Sequence, residues 1–209
     1  MKKLFLTSSF DDVANRLPAF IGEKLAGKVV TFIPTANVPQ EYDGYVISAK
    51  AAFETLGLII DILEVSTASA SDIQSKLSQN DYIYVSGGNS FFLLQELKRT
   101  GADQLIIEQV NLGKPYIGES AGSIITSPDI AYISAMDSTK KAPLLTNTQG
   151  LNLVDFYTVP HVTNAPFEDE AQEILTHYDN KLTLKPISND QVIMAVSYTH
   201  LTLPTTERV

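Results

Sequence analysis

The 209-residue sequence predicts an α/β protein, a three-layer, doubly wound fold whose mostly parallel sheet lies between two layers of helices. Three observations predict it. Short apolar runs alternate with segments of helical period along the first part of the chain. The runs are apolar throughout, not at every second residue, as strands buried on both faces are. Most helical segments stop at a glycine, which ends a helix in the left-handed conformation without a Cβ clash.

Leu4–Thr7 reads as the first buried strand, closed by Ser8 and Ser9. From Asp11 to Ala26, Val13, Leu17, Phe20, Ile21 and Leu25 fall near helical period despite Pro18, and Gly27 is the expected stop. Val29–Ile33 is a β-branched second strand ended by Pro34, and the loop Thr35–Asp43 is placed to line a site. A helix over Tyr45–Leu56 stops at Gly57, and Leu58–Leu63 is the third strand. Ser71–Leu77 predicts a short capped helix, Tyr82–Val85 a fourth strand running into Ser86-Gly87-Gly88-Asn89. Helices follow over Ser90–Thr100 and Ala102–Leu112, parted by Gly101, and then a strand over Pro115–Ile117. Beyond Ile125 the alternation loosens: strands over Asp129–Ser134 and Phe156–Val159, a helix over Phe167–Tyr178, and a final hairpin pairing Leu182–Leu184 with Val192–Val196 around Ser188-Asn189-Asp190.

Composition narrows the function classes. Hydrophobic residues at 44% and charged residues at 19% are those of a globular chain, and the length suits one α/β domain. A net charge of −9 with no basic stripe argues against nucleic acid. The absence of cysteine excludes disulfides, thiolate metal sites and a cysteine nucleophile. Ser8, Ser9, Asp11 and Asp12 cut the N-terminal apolar run too short for a signal peptide, and no run reaches the roughly 20 apolar residues of a membrane span. The expectation is a cytoplasmic protein without membrane contact, metal or organic cofactor, for which a homodimer is one open assembly.

The chemistry concentrates at Gly118-Glu119-Ser120-Ala121-Gly122, a G-x-S-x-G pattern between a strand and a helix. A serine nucleophile must project from a sharp turn, and side chains two residues either side would collide there. An ordinary strand-to-helix turn with a capping serine has the same composition. A hydroxyl also needs a base, and the chain has three histidines. His177 sits near a helix C-terminus, where a cation suits the dipole, and His200 falls in a suspect tail. That leaves His161, at a strand end after Pro160, as the candidate base. Asp137, Asp155, Glu168, Asp169 and Asp190 are all conceivable as its acidic partner, and spacing does not choose among them. The N–H groups of Ala121 and of the Gly87-Gly88 turn, Gly88 in particular, are the candidate oxyanion donors.

The ordered set Leu4–Ser9, Phe32–Ala36, Ser86-Gly87-Gly88-Asn89, Gly118–Gly122 and Pro160-His161-Val162-Thr163-Asn164 resembles the serine peptidases of the peptidase E (aspartyl dipeptidase) and cyanophycinase family over most of residues 4–194. The resemblance implies a fold like class I glutamine amidotransferase and flavodoxin-like domains. It also implies a Ser-His-acid triad acting on short peptides through an acyl-enzyme, with Ser120 as nucleophile and His161 as the histidine. It points to Asp137 as the triad acid and to Asn89 and Asn164 as substrate-binding residues. The family pattern is broken twice. An expected late glutamate is missing from Pro186–Asp190, and Glu168-Asp169-Glu170 stands where peptidase E carries an arginine that suits an aspartyl substrate. An acidic patch would repel that substrate, unless Lys140 or Lys141 compensates. Two other readings fit the turn: an α/β esterase-type serine hydrolase, and a ligand-binding domain that has lost activity. Finally, Val196–Thr205 is similar to the translation of a transposase sequencing adapter, so residues 1–195 read as the domain and 196–209 as a non-native tail.

Overall fold

The computed structural model describes residues 1–197. The elements, in chain order, are β1 (Lys2–Thr7), α1 (Phe10–Val13), α2 (Leu17–Ile21), β2 (Val29–Ile33), α3 (Gly44–Thr55), β3 (Ile59–Ile62), α4 (Ala70–Gln79), β4 (Tyr82–Val85), α5 (Ser90–Thr100), α6 (Ala102–Asn111), β5 (Tyr116–Glu119), α7 (Ala121–Ile124), β6 (Tyr157–Val159), α8 (Glu168–His177), β7 (Leu184–Pro186) and β8 (Val192–Ser197). Six strands form one sheet in the order β3-β2-β4-β5-β1-β8; all neighbours are parallel except β8, which runs antiparallel to β1. The predicted α/β class and mostly parallel sheet are the observed ones.

Strand alternation divides the core into two layers. Phe5, Val30, Phe32, Tyr82, Tyr84 and Ile117 face α1–α3, where the Phe10 and Phe53 rings stack with centroids 4.3 Å apart. Leu4, Leu6, Ile33, Ile83, Val85 and Tyr116 face the opposite layer, which includes Leu94, Leu97, Ile106 and Ile124. Because β1, β5 and β4 are adjacent, their carboxyl ends deliver Ser8, Ser120 and Ser86–Asn89 to one edge of the sheet. That is where open parallel sheets place their sites.

Four local expectations fail, each for an identifiable reason. The segment 11–26 is not one helix: Pro18, at the start of α2, divides it, and Gly22 (φ 79°) ends it before Gly27. Ile59 and Ile62 of β3 are 55% and 47% exposed, because this apolar run lies at the sheet edge. Asp129–Ser134 is no strand: the Asp129 Oδ1 accepts the Ala131 N–H at 2.7 Å and starts a 3₁₀ turn, Ala131–Ala135. The final hairpin does not form either. β7 pairs in parallel with β6 in a separate two-stranded sheet, and β8 crosses to the main sheet, where Ile193 and Ala195 pack on the core. β8 extends through Val196 and Ser197, two residues into the stretch read as a tail; residues 198–209, His200 among them, lie outside the described residues. Among the described residues no helix is long and apolar enough to cross a membrane.

Candidate active site

Ser120 sits between β5 and α7 with φ 46° and ψ −105°, a strained conformation for a residue with a Cβ. The flanking glycines explain how the turn closes. A Cβ on Gly118 would lie 2.7 Å from the Gly122 backbone, and one on Gly122 would lie 2.1 Å from the Val85 carbonyl oxygen. Only glycine permits α7 to leave β5 this close to β4. Ser123 ties the turn to the next strand: its Oγ accepts the Thr7 N–H at 3.0 Å and donates toward the carbonyls of Thr7 (2.8 Å) and Gly118 (2.9 Å).

The Gly87-Gly88 turn lies against this serine. A Cβ on Gly87 would come within 3.4 Å of the Ser120 Cβ. Gly88 has φ 133°, and a Cβ there would stand 2.2 Å from the Ala36 carbonyl oxygen. Among the described residues neither the Gly88 nor the Ala121 N–H has an acceptor, so both are available to a ligand beside the Ser120 hydroxyl.

His161 comes to the serine from the loop after β6, itself at a positive φ of 60°. The Ser8 Oγ accepts its N–H at 3.1 Å and donates to the Ile187 carbonyl at 3.0 Å, which holds the β1 end, the histidine loop and the β7 end together. The imidazole Nε2 lies 3.0 Å from the Ser120 Oγ, and Nδ1 lies 2.7 Å from the Asn189 Oδ1. An Nδ1–H donated to that amide oxygen leaves Nε2 unprotonated toward the hydroxyl, the tautomer a base requires. Burial, stronger than the opposing bond from Asn189, holds the His161 pKa below 6.5. The Phe167 ring packs beside the imidazole with centroids 5.2 Å apart.

The expected acid is elsewhere. Asp137 is not on His161: its Oδ2 accepts the Ser90 N–H at 2.8 Å, capping α5. The side chain against Nδ1 is Asn189, so the third position holds an amide where an acid was expected. Asp190, one residue on, accepts from the Ser188 hydroxyl in its own turn. The two asparagines also make hydrogen bonds within the fold. Asn89 is buried, its Oδ1 accepting from the Phe92 N–H at 2.9 Å and its amide donating to the Ser138 carbonyl at 3.1 Å, so it shapes the turn from within. Asn164 Oδ1 accepts the Asn189 N–H at 2.9 Å, completing a series from Asn164 through Asn189 and His161 to Ser120.

Glu119 escaped the sequence reading, although a carboxylate inside an apolar strand beside a serine was its signal. It is 2% exposed, accepts the Phe10 N–H at 2.8 Å and accepts a hydrogen bond from the Tyr84 hydroxyl. Burial raises its pKa to about 7, against the lowering effect of the Phe10 and Gly87 N–H groups and the Tyr84 hydroxyl.

These residues open on a cleft of about 1040 Å³, also lined by Pro39–Tyr42 from the loop after β2, Tyr45, Met136 and Lys141. Glu168, Asp169 and Glu170 are not among its lining residues, so the acidic patch at the start of α8 is not part of this cleft. Among the described residues no three or more histidine or acidic side chains group as metal ligands would.

The family model for peptidase family S51 matches residues 4–201. The chain belongs to peptidase family S51. It is 57% identical over 193 residues to an uncharacterized peptidase of Listeria monocytogenes serovar 1/2a, covering 92% of this chain and 94% of that one. An uncharacterized peptidase of Pasteurella multocida strain Pm70 is 51% identical over 201 residues, covering 96% and 97%. Peptidase E of Shewanella baltica strain OS185 is 37% identical over 135 residues, 64% of this chain but 53% of that protein. The crystal structure of a candidate peptidase E protein from Listeria monocytogenes EGD-e superposes with a TM-score of 0.87 at 53% identity, covering 95% of this chain and all of that one. This S51 chain is thus a peptidase, and with it a hydrolase.

Proposed function

We propose that this S51 peptidase is a serine peptidase that hydrolyses short peptides through an acyl-enzyme, with Ser120 as nucleophile on an elbow and Ser120, His161 and Asn189 as its triad. The observation that carries the reading is the 3.0 Å contact between His161 Nε2 and the hydroxyl of a serine held at positive φ. His161 Nε2 takes the Ser120 proton as Oγ attacks the scissile carbonyl. The N–H groups of Gly88 and Ala121 receive the oxyanion as the carbonyl becomes tetrahedral. The imidazolium then protonates the leaving amine, and the acyl group stays on Ser120 until a water, deprotonated by the same nitrogen, releases it. Asn189 fixes the tautomer through its amide oxygen but brings no charge to the imidazolium.

A fluorophosphonate probe tests the nucleophile. Ser120 is expected to be labelled in the folded full chain, and Ser120→Ala to abolish the label; labelling at another serine, or none, would remove Ser120 from the role.

The depressed His161 pKa sets the pH dependence. The base works in its neutral form, so activity falls only when pH drops through that depressed value. The acid limb of kcat/KM is expected at a pH below 6.5, and a limb above 6.5 would show that the active base is not His161 in this buried setting.

A further inference from the structure

The two glycines that let the 87–88 turn approach Ser120 leave its orientation unset. Gly88 has φ 133°, and glycine crosses between backbone regions at little cost. The peptide joining Gly87 to Gly88 therefore has no side-chain sterics of its own to hold its plane. That plane matters, because the Gly87 carbonyl and the Gly88 N–H belong to one planar, trans unit and point in opposite directions. Whatever holds the carbonyl also aims the N–H.

Three contacts hold this unit. The Ser86 Oγ, fully buried with its residue, donates to the Gly87 carbonyl at 3.1 Å. On one side the Gly87 N–H donates to the Glu119 carboxylate. On the other the Asn89 N–H donates to the Ala36 carbonyl at 2.8 Å. Glu119 is itself fixed from two more directions, by the Phe10 N–H at 2.8 Å and by the Tyr84 hydroxyl. It directly precedes Ser120, so the end of β5 carries both the nucleophile and the acceptor that seats the turn. Gly87 packs between Ser120 and Tyr45: a Cβ there would lie 3.4 Å from the Ser120 Cβ and 3.5 Å from the Tyr45 ring. A carboxyl keeps an accepting oxygen whether ionised or neutral, so the contact to Gly87 outlasts its titration.

We infer that Glu119 and Ser86 are positioning residues, which together lock the Gly87–Gly88 peptide with the Gly88 N–H turned to the oxyanion. The inference rests on the reading of Ser120 as nucleophile and of Gly88 as oxyanion donor. Neither side chain gains or loses a bond to the substrate; both act through Gly87. An oxyanion donor helps only if it is already aimed when charge develops, because turning a peptide during the reaction costs what the new hydrogen bond returns. A turn built from two glycines needs that aim from outside itself, and the buried carboxyl and hydroxyl supply it.

The test is the rate of fluorophosphonate labelling of Ser120 in the full chain, followed as a function of pH. The phosphoryl oxygen of the probe takes the oxyanion position, so the plateau rate reports the donors while the acid limb reports His161. Ser86→Ala and Glu119→Met are each expected to lower the plateau by roughly 10- to 100-fold, less than outright removal of a donor. The limb should stay where the wild type has it, and a melting curve reports the fold of each variant. Ser86→Ala removes a single hydroxyl and keeps the test open if Glu119→Met does not fold. A fall of less than about tenfold in a folded variant overturns the inference while Ser120 keeps its role. A limb that moves together with the plateau also overturns it, by placing the damage at the histidine. Absence of labelling in the wild type removes both readings together.

Discussion

Truncation of His161 to alanine is expected to lower kcat by roughly 10⁴- to 10⁶-fold while leaving the melting temperature nearly unchanged. Among the described residues the Ser120 hydroxyl meets one base, His161 Nε2 at 3.0 Å, and the nearby carboxylates are bonded elsewhere. Without the imidazole, the serine loses the acceptor for its proton, and what remains is the polarisation supplied by backbone N–H groups. The partner residue should behave differently. Asn189→Ala removes a neutral orienting bond, so a loss of about 10- to 100-fold in kcat is expected, the size of one buried hydrogen bond. Asn189→Asp would place a carboxylate on Nδ1, raise the His161 pKa and move the acid limb upward. Steady-state kinetics on a cleaved peptide checks both. Wild-type turnover by a folded His161→Ala would end the assignment of His161 as base.

Glu119→Gln is expected to stabilise the protein above pH 7 by an amount on the order of 3 kcal/mol, and to change little below pH 4.5. The sign comes from the direction of the shift. Burial raises the carboxyl from 4.5 to about 7, so the folded chain holds this proton more tightly than the unfolded chain does. Below 4.5 both states are protonated and the difference vanishes. As pH rises towards 7 the unfolded chain ionises first, and stability falls through that window. Glutamine mimics the protonated form: its oxygen accepts the Phe10 N–H and its amide donates to the Tyr84 hydroxyl. Thermal melts at pH 4.5 and pH 8 measure the effect. At about 2–4 °C per kcal/mol for a chain of this size, the variant should melt some 6–12 °C higher at pH 8. Equal melting temperatures at pH 8 would mean that ionised Glu119 is compensated within the fold.

Glu119 also marks a limit of reading the chain by pattern. In a single strand it is one polar residue among apolar neighbours, and its partners are Phe10 and Tyr84, 109 and 35 residues away. Nothing local announces that Tyr84 will lie on the adjacent strand with its hydroxyl at the carboxylate. Asn189 is a similar case. The turn Ser188-Asn189-Asp190 is visible in the sequence, with Asp190 one of five conceivable acids, yet the side chain that meets His161 is the neighbouring amide of Asn189. The Asp129–Ser134 segment shows the reverse, a misleading local signal: its apolar residues suggest a strand, but an aspartate at its head bonds forward and winds the chain into a 3₁₀ turn.

What the sequence determined by itself was set by short-range rules: apolar runs and helical periods for the sheet and its two helical layers, glycines at 118 and 122 for a turn no larger residue could close, and the scarcity of histidine for the pairing of His161 with Ser120. The tertiary structure alone decided the rest. It sent β8 across to β1, placed Asn189 on Nδ1, set Asp137 at the head of α5, and enclosed Glu119. The reason is physical. Periodicity and capping act over one or two turns of chain, whereas which side chain meets a given hydrogen-bonding atom depends on strand order and crossover, and these join residues far apart in the sequence.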